Sequence, residues 1–478
     1  MVTRALLTDF YELTMSAGYL EQGKSTDRAT FDLYYRHNPF RGGYGVAAGL
    51  QDAVQAVSAM QFSPEDIEYL ASLKTAAGSD FFTREFLDYL RQFRFSGSIR
   101  AVPEGTAIFP NEPILQVSGN LIECQIVETI LLCHINFQTL VATKAARMWE
   151  ASNHGAILEF GLRRAQGPDG ALSACRAAYI GGAAATSNVL GAALFHMPPK
   201  GTQAHSWIQS FPSELEAFRI YATLFCDDCV LLVDTYDVLK SGLPNAIQVA
   251  RELEQSGHHL VGIRIDSGDL AFLSKRAREM LDQSGLDYVK ICASNELDEF
   301  IISEIISQGG RVDIWGVGTK LVTGGGEEGG ALGGIYKMVE LNGKPKIKLS
   351  GNVEKITSPG IKKIVRFYSD DGLMEADALA HVAEDLRNDE IVIVDPNNPL
   401  RRKKISAQNR VELLQDIILN GKLVYDFPSL EAIRQRRAQQ LSALHESYKR
   451  LHNAHEYKVG LTYRLWQQKE RMLNQEMV

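Results

Sequence analysis

The chain has 478 residues, too many for one ordinary hydrophobic core, so two or three domains are expected. Hydrophobic residues make up 45% and charged residues 23%, the balance of a globular chain rather than a disordered or fibrous one. The formal net charge of −8 argues against nucleic acid as a general partner, while local arginines can still gather small anions.

Residues 1–7 lack the long apolar core of a signal peptide, and no run approaches the ~20 apolar residues of a membrane helix. The expectation is a cytoplasmic chain that does not meet a membrane. Six cysteines, at 124, 133, 175, 226, 229 and 292, are scattered and do not resemble a disulfide framework. Cys226-Asp227-Asp228-Cys229 is a CxxC. A zinc or redox role would need a second ligand pair or a redox-type fold, so the cysteines read as structural or incidental.

Residues 1–140 mix short strands and helices. Phe31-Asp32-Leu33-Tyr34-Tyr35 alternates like a strand, Gly42-Gly43-Tyr44-Gly45 marks a turn, and residues 52–60 form an amphipathic helical pattern. Residues 97–119 read as short strands broken by Pro103-Glu104-Gly105 and Asn111-Glu112-Pro113. A long helix is expected from about Cys124 to Ser152. Residues 141–340 then change rhythm. Apolar strand-like runs at 156–160, 230–233, 260–265, 289–293 and 312–317 alternate with helical patterns, as in a parallel α/β sheet or barrel. Residues 341–478 lose that rhythm. Residues 336–360 are basic and strand-like, with Asn342-Gly343 as a hairpin turn. Residues 429–453 are helical and charged, and Gln435-Arg436-Arg437-Ala438 reads as a solvated helix face.

The polar motifs follow the barrel-like strands, the edge that carries active sites in α/β barrels. Gly201-Thr202-Gln203-Ala204-His205-Ser206 holds a histidine among small residues, able to accept a proton or a phosphoryl group. Asp234-Thr235-Tyr236-Asp237 offers carboxylates for magnesium or sugar hydroxyls, with helix capping by Asp237 as the alternative or companion role. Arg264 and Asp266 fall on one face if their strand continues, a cation and a carboxylate side by side or a structural ion pair. Ser294 or Asn295 is expected to cap a helix whose N-terminus could hold phosphate. Gly316-Val317-Gly318-Thr319 offers backbone and hydroxyl donors to a phosphate. A Walker motif and a strand-initial GxGxxG are both absent from the sequence.

In this order, the segments Leu6-Leu7-Thr8-Asp9-Phe10-Tyr11, Arg36-His37-Asn38-Pro39-Phe40, Glu159-Phe160-Gly161-Leu162-Arg163-Arg164, residues 201–206, Leu232-Val233-Asp234-Thr235-Tyr236-Asp237, residues 264–269 and 316–319, and Leu451-His452-Asn453-Ala454-His455-Glu456-Tyr457 resemble the nicotinate phosphoribosyltransferases. The resemblance implies an irregular α/β barrel of the type II phosphoribosyltransferases, with an N-terminal α+β sandwich-like domain and a helical C-terminal segment. It implies three segments, 1–140, 141–340 and 341–478, the last packing back on the others. The implied reaction is an ATP-coupled, ligase-class transfer from phosphoribosyl pyrophosphate to nicotinate in NAD salvage. His205 would become a phosphohistidine. His205, Asp234 and Asp266 would be catalytic, the two aspartates also serving Mg2+. Tyr11, Arg36, Phe160, Arg163, Thr202, Arg264, Ser294, Asn295, Gly318 and Thr319 would bind substrate. A homodimer would share its sites, with Tyr11 and Arg36 reaching into the neighbour's. Nicotinamide-using relatives tend to carry an aspartate in the segment Ala184-Ala185-Thr186-Ser187-Asn188, and its absence favours nicotinate. The alternatives are a nicotinamide phosphoribosyltransferase and a non-catalytic barrel that binds phosphorylated ligands.

Overall fold

Two segments distant in sequence share one compact unit: residues 1–140 and 331–478 form it, and residues 141–330 form the other. The fold comes from a computed structural model that describes residues 5–386, 390–405 and 409–476. Residues 1–4 of the stretch read for a signal peptide lie outside these. The division differs from the three expected segments for a reason of strand pairing. Ile335–Leu341 runs antiparallel to Arg28–Tyr34, and Gln415–Leu419 runs antiparallel to Ser98–Ala101. The late strands therefore complete a sheet that the early strands begin.

Among the described residues that sheet has seven strands, with Arg28–Tyr34, Leu115–Asn120 and Ser98–Ala101 at its centre. Arg28–Tyr34 is buried at every position after its first, so it lies within the core rather than alternating between core and solvent. The expected hairpin forms at Asn342 and Gly343, whose φ values of 51° and 72° suit a two-residue left-handed turn. The helix expected at 52–60 is observed as Leu50–Ala59.

Among the described residues, a second sheet of six strands also belongs to this unit. It is built from Lys362–Tyr368, Met374–His381, Ile391–Val394, Arg402–Ile405, Asn409–Glu412 and Val459–Thr462. The C-terminal segment is thus largely β, with the helices Leu430–Ser442 and Tyr463–Glu476 beside its strands. Buried charge explains why these strands do not read as apolar runs. Arg366 and Asp377 are fully buried and paired at 2.6 Å, and buried Lys362 pairs with Asp32 at 2.8 Å.

The long helix begins earlier than expected, as Leu121–Ile126 followed by Glu128–Ala151. The stretch Leu121–Ala151 is long and apolar enough to cross a membrane, yet 67% of its most apolar window is buried inside the protein. Buried Glu123, Gln125, Glu128 and Gln138 along it fit a core helix.

The second unit is the barrel. Its six strands are all parallel, in the order Ala185–Thr186, Ala156–Glu159, Ile314–Val317, Lys290–Ser294, Gly262–Ile265, Val230–Leu232. The helices Leu243–Gln255, Leu270–Gln283 and Glu299–Ser307 connect successive strands, which is the βα rhythm of the sequence. The two outer strands of the sheet are brought together. Lys200 donates a backbone hydrogen bond to Thr186 O at 2.9 Å, and its ammonium reaches Asp228, just before Val230–Leu232, at 2.7 Å. The sheet is accordingly a curled, irregular barrel.

Glu12 illustrates how the first unit handles a buried charge. It sits on the helix Phe10–Glu21, fully buried, and accepts from Thr129 N at 3.0 Å, from Thr129 Oγ1 at 2.6 Å and from Thr8 Oγ1. Burial outweighs these donors and raises its carboxyl from 4.5 to about 7. The folded state therefore holds this proton where the unfolded chain has lost it. The contribution is whole below the unfolded value and is lost as pH rises to the folded one. Relative to Glu12→Gln, wild type should lose about 3 kcal/mol of unfolding free energy between pH 4.5 and pH 7. Urea titrations of both proteins at pH 5 and pH 8 measure this, and a pH-independent difference would contradict it.

Candidate active site

Five of the six barrel strands lead straight into the motifs read from the sequence, and because the strands are parallel these residues share the C-terminal edge. Phe160 follows Ala156–Glu159, Asp234 follows Val230–Leu232, and Asp266 follows Gly262–Ile265. Ser294 ends Lys290–Ser294, and Gly318 follows Ile314–Val317. His205 opens the short helix His205–Gln209, directly after the Gly201-Thr202 loop.

Asp234 is the hub of one network. Its side chain is only 1% exposed, and both oxygens are engaged. Oδ1 lies 3.2 Å from His205 Nε2. Oδ2 accepts from the Asp266 backbone N–H at 3.0 Å and from Ser267 Oγ at 2.6 Å. A carboxylate in this position fixes the imidazole tautomer, because Nε2 must carry the proton that Asp234 accepts. The lone pair then sits on Nδ1, on a side chain that is 41% exposed. Ser267, within the Arg264–Asp269 motif, is thus a third donor to Asp234 that its sequence position alone does not reveal.

Arg264 is the hub of the other. Nε donates to Ser294 Oγ at 2.8 Å, Nη1 to Thr202 Oγ1 at 3.1 Å and Nη2 to Asp266 Oδ1 at 2.7 Å. Ser294 Oγ also donates to Asp266 Oδ1. The guanidinium lies 5.6 Å from the centroid of the Phe160 ring. Arg264 and Asp266 thus do share a face, as their spacing implies.

Glu159, a further member of the site, holds the turn that carries Phe160. It is buried, and burial raises its pKa. It accepts from Thr186 Oγ1 at 2.5 Å and from the Gly161 backbone N–H. A carboxylate closing an apolar strand is the sequence signal that could have marked it.

The remaining expected site residues fall as follows. Arg163 is exposed on the turn Leu162–Arg164. The helix expected to be capped by Ser294 or Asn295 starts instead at Glu299, with Asp298 as its cap, accepting from Phe300 N and Ile301 N. The delay has a backbone cause. Ser294 is still in its strand, and Asn295 and Glu296 take left-handed φ values of 98° and 41°, a strained turn of the kind found at functional sites. Gly318 precedes a single helical turn, Thr319–Val322, and Thr319 Oγ1 donates to Glu296 at 3.2 Å. Tyr11 and Arg36 belong to the other unit. Tyr11 is 45% exposed, and partial burial with Glu128 beside it raises its phenol. Arg36 donates to Glu354 O at 2.9 Å.

A curled parallel barrel with an Asp–His pair, a partly buried arginine and a second carboxylate at its C-terminal edge has the layout of an α/β-barrel enzyme. Three family models match: the N-terminal domain of nicotinate phosphoribosyltransferase over residues 6–136, the nicotinate phosphoribosyltransferase family over 156–385, and that enzyme's C-terminal domain over 361–469. The nicotinate phosphoribosyltransferase of Bacillus subtilis is 40% identical, the match covering 98% of this chain and 95% of that one. That of Dictyostelium discoideum is 38% identical over 96% and 87% of the two chains. The crystal structure of human nicotinic acid phosphoribosyltransferase superposes with a TM-score of 0.86 at 32% identity, covering 97% of this chain and 99% of that one. This chain belongs to the nicotinate phosphoribosyltransferase family.

Glycine is required where the strands crowd behind Phe160. A Cβ on Gly316 would lie 2.9 Å from the Phe160 ring and 3.1 Å from Ser294 Cβ. Gly316→Ala should therefore lower unfolding free energy by about 1–3 kcal/mol through overpacking. Chemical denaturation measures this, and a change under about 0.5 kcal/mol would mean that the ring is free to move aside.

Proposed function

We propose that this chain transfers the 5-phosphoribosyl group of phosphoribosyl pyrophosphate to the ring nitrogen of nicotinate, releasing pyrophosphate and forming nicotinate mononucleotide for NAD salvage. ATP drives the cycle through phosphorylation of His205. The observation that carries this reading is the buried Asp234 bonded to a half-exposed His205, at the same strand ends as Arg264 and Asp266.

In the transfer step the nicotinate nitrogen lone pair forms the bond to C1′. The C1′–O bond breaks, and pyrophosphate leaves with its electron pair. Positive charge develops on the sugar, so fixed polar groups are most effective there. Arg264 and Arg163 hold anionic groups, with Thr202, Ser294, Asn295, Gly318 and Thr319 as further donors around them. Phe160 offers one face to the pyridine ring, and Tyr11 of a second chain offers the other. In the coupling step His205 Nδ1 attacks the γ-phosphorus of ATP and ADP leaves. Water later cleaves the phosphohistidine to inorganic phosphate.

The carboxylates divide this work. Both oxygens of Asp234 are occupied by donors, which suits it to orienting His205 rather than to binding metal. Asp266 uses Oδ1 for Arg264 and Ser294, which leaves Oδ2 to a ribose hydroxyl or to Mg2+. When bound, Mg2+ would neutralise charge on the pyrophosphate. Nicotinate is preferred over nicotinamide because the segment 184–188 lacks a carboxylate that would accept from an amide and repel an acid. All six cysteines are free thiols, in keeping with a reducing compartment such as the cytoplasm.

A homodimer with shared sites is the assembly we propose. The helix Val189–Phe195 exposes Val189, Leu190 and Leu194, and the first unit exposes Leu7, Phe10 and Tyr11, apolar area that a second chain would cover.

His205→Ala should abolish labelling by γ-labelled ATP and with it the ATP stimulation of turnover. Asp234→Asn should slow the labelling on the order of a hundredfold or more, through loss of the oriented tautomer. Full labelling of His205→Ala would place the acceptor elsewhere. Tyr11→Ala and His205→Ala should each be nearly inactive alone. After subunit exchange their mixture should recover up to about a quarter of wild-type activity, since half the dimers are mixed and half their sites whole. No recovery despite proven exchange would mean that both residues serve their own chain.

A further inference from the structure

The CxxC motif resolves into two unlike cysteines, and this difference points to a second site on the barrel. Cys229 is fully buried, and its carbonyl accepts from Val261 N at 2.9 Å. Its sulfur is not among the ligand atoms that lie together around Cys226. Cys226 is half-buried and faces other groups. Its Sγ lies 3.8 Å from Asp227 Oδ2, and Asp227 Oδ1 lies 2.8 Å from His258 Nδ1. The sulfur, carboxylate and imidazole ligand atoms are all within 4.8 Å of one another.

We propose that Cys226, Asp227 and His258 form a binding site for a thiophilic divalent cation of the zinc class. The three ligands come from two loops held by backbone hydrogen bonds rather than from one flexible segment. Asp228 N bonds to Phe225 O at 3.1 Å. His258 N bonds to Leu253 O at 2.9 Å, just after Gly257 ends its helix with a φ of 83°. The neighbouring acid is excluded by its own contact, because Asp228 is engaged by Lys200 at 2.7 and 2.8 Å. A tetrahedral ion with bonds of about 2.0–2.3 Å needs its ligands on the order of 3.5 Å apart, so closing the set takes only side-chain movements of about 1 Å. Three protein ligands leave the fourth position to water.

Binding forms one bond each to sulfur, oxygen and nitrogen. The thiol proton is released to solvent, and the imidazole proton moves from Nδ1 to Nε2. The site is separate from the one around His205. Cys226 and His258 precede the strands Val230–Leu232 and Gly262–Ile265, whereas Asp234 and Asp266 follow them, so the two sites lie at opposite edges of a parallel sheet.

The test uses the full-length chain, stripped of metal and titrated with Co2+. Wild type should bind one Co2+ at this site, with tetrahedral visible bands and a sulfur-to-cobalt charge-transfer band in the near ultraviolet. Cobalt held by the oxygen ligands of the other site lacks that band. Cys226→Ser should abolish the charge-transfer band, and His258→Ala should weaken the cobalt site by at least about tenfold. Cys229→Ser should leave both unchanged. Cys226 and His258 are partly exposed, so neither change opens the core. Wild type without the charge-transfer band, a band that survives in Cys226→Ser, or a band lost in Cys229→Ser would each overturn the proposal.

Discussion

The burial of the Asp234 carboxylate is the constraint on which the site depends. A charge with 1% of its side chain exposed is tolerable only if donors surround it. Three do: His205 Nε2, the Asp266 backbone N–H and Ser267 Oγ. Satisfying this one group ties together the ends of two neighbouring strands and the loop that carries His205. It also constrains the proposed coupling step, because the nitrogen that meets Asp234 cannot be its nucleophile.

Arg264 performs the corresponding task for polar acceptors. A single guanidinium at the end of Gly262–Ile265 reaches Thr202, Asp266 and Ser294, and it lies near the Phe160 ring. Its fork geometry holds three residues, from the Thr202 loop and two neighbouring strand ends, in one arrangement. Behind it, Gly316 leaves room for the Phe160 ring and the Ser294 side chain beside its own strand, and Glu159 pins the turn that carries Phe160 through Thr186 and Gly161. The groups proposed to bind anions are therefore held in one arrangement by the protein itself, the condition for electrostatic stabilisation of a developing charge.

Much of the barrel is legible in the sequence because five of its strands are apolar runs ending in polar motifs. Ala185–Thr186 is not, since two residues carry no periodicity. The C-terminal sheet is hidden for a different reason. Lys362, Arg366 and Asp377 are buried in its strands as ion pairs, so those strands read as polar. The pairing of Arg264 with Asp266 follows from a period of two along a strand. The capping of Glu299–Ser307 by Asp298 does not, because two left-handed residues, Asn295 and Glu296, intervene. The roles of Tyr11 and Arg36 rest on the resemblance of their motifs alone, since they are remote in sequence from every barrel motif.

The most direct measurement of the central claim is the site of attachment on the phosphorylated imidazole. Protein labelled with 15N at histidine and phosphorylated from ATP gives nitrogen shifts and phosphorus couplings that distinguish the two ring positions. An Nδ1 phosphoryl group, with Nε2 retained as the hydrogen-bond donor to Asp234, is the predicted result. An Nε2 phosphoryl group on His205 would contradict it, because that nitrogen would have to leave the carboxylate around which the site is built.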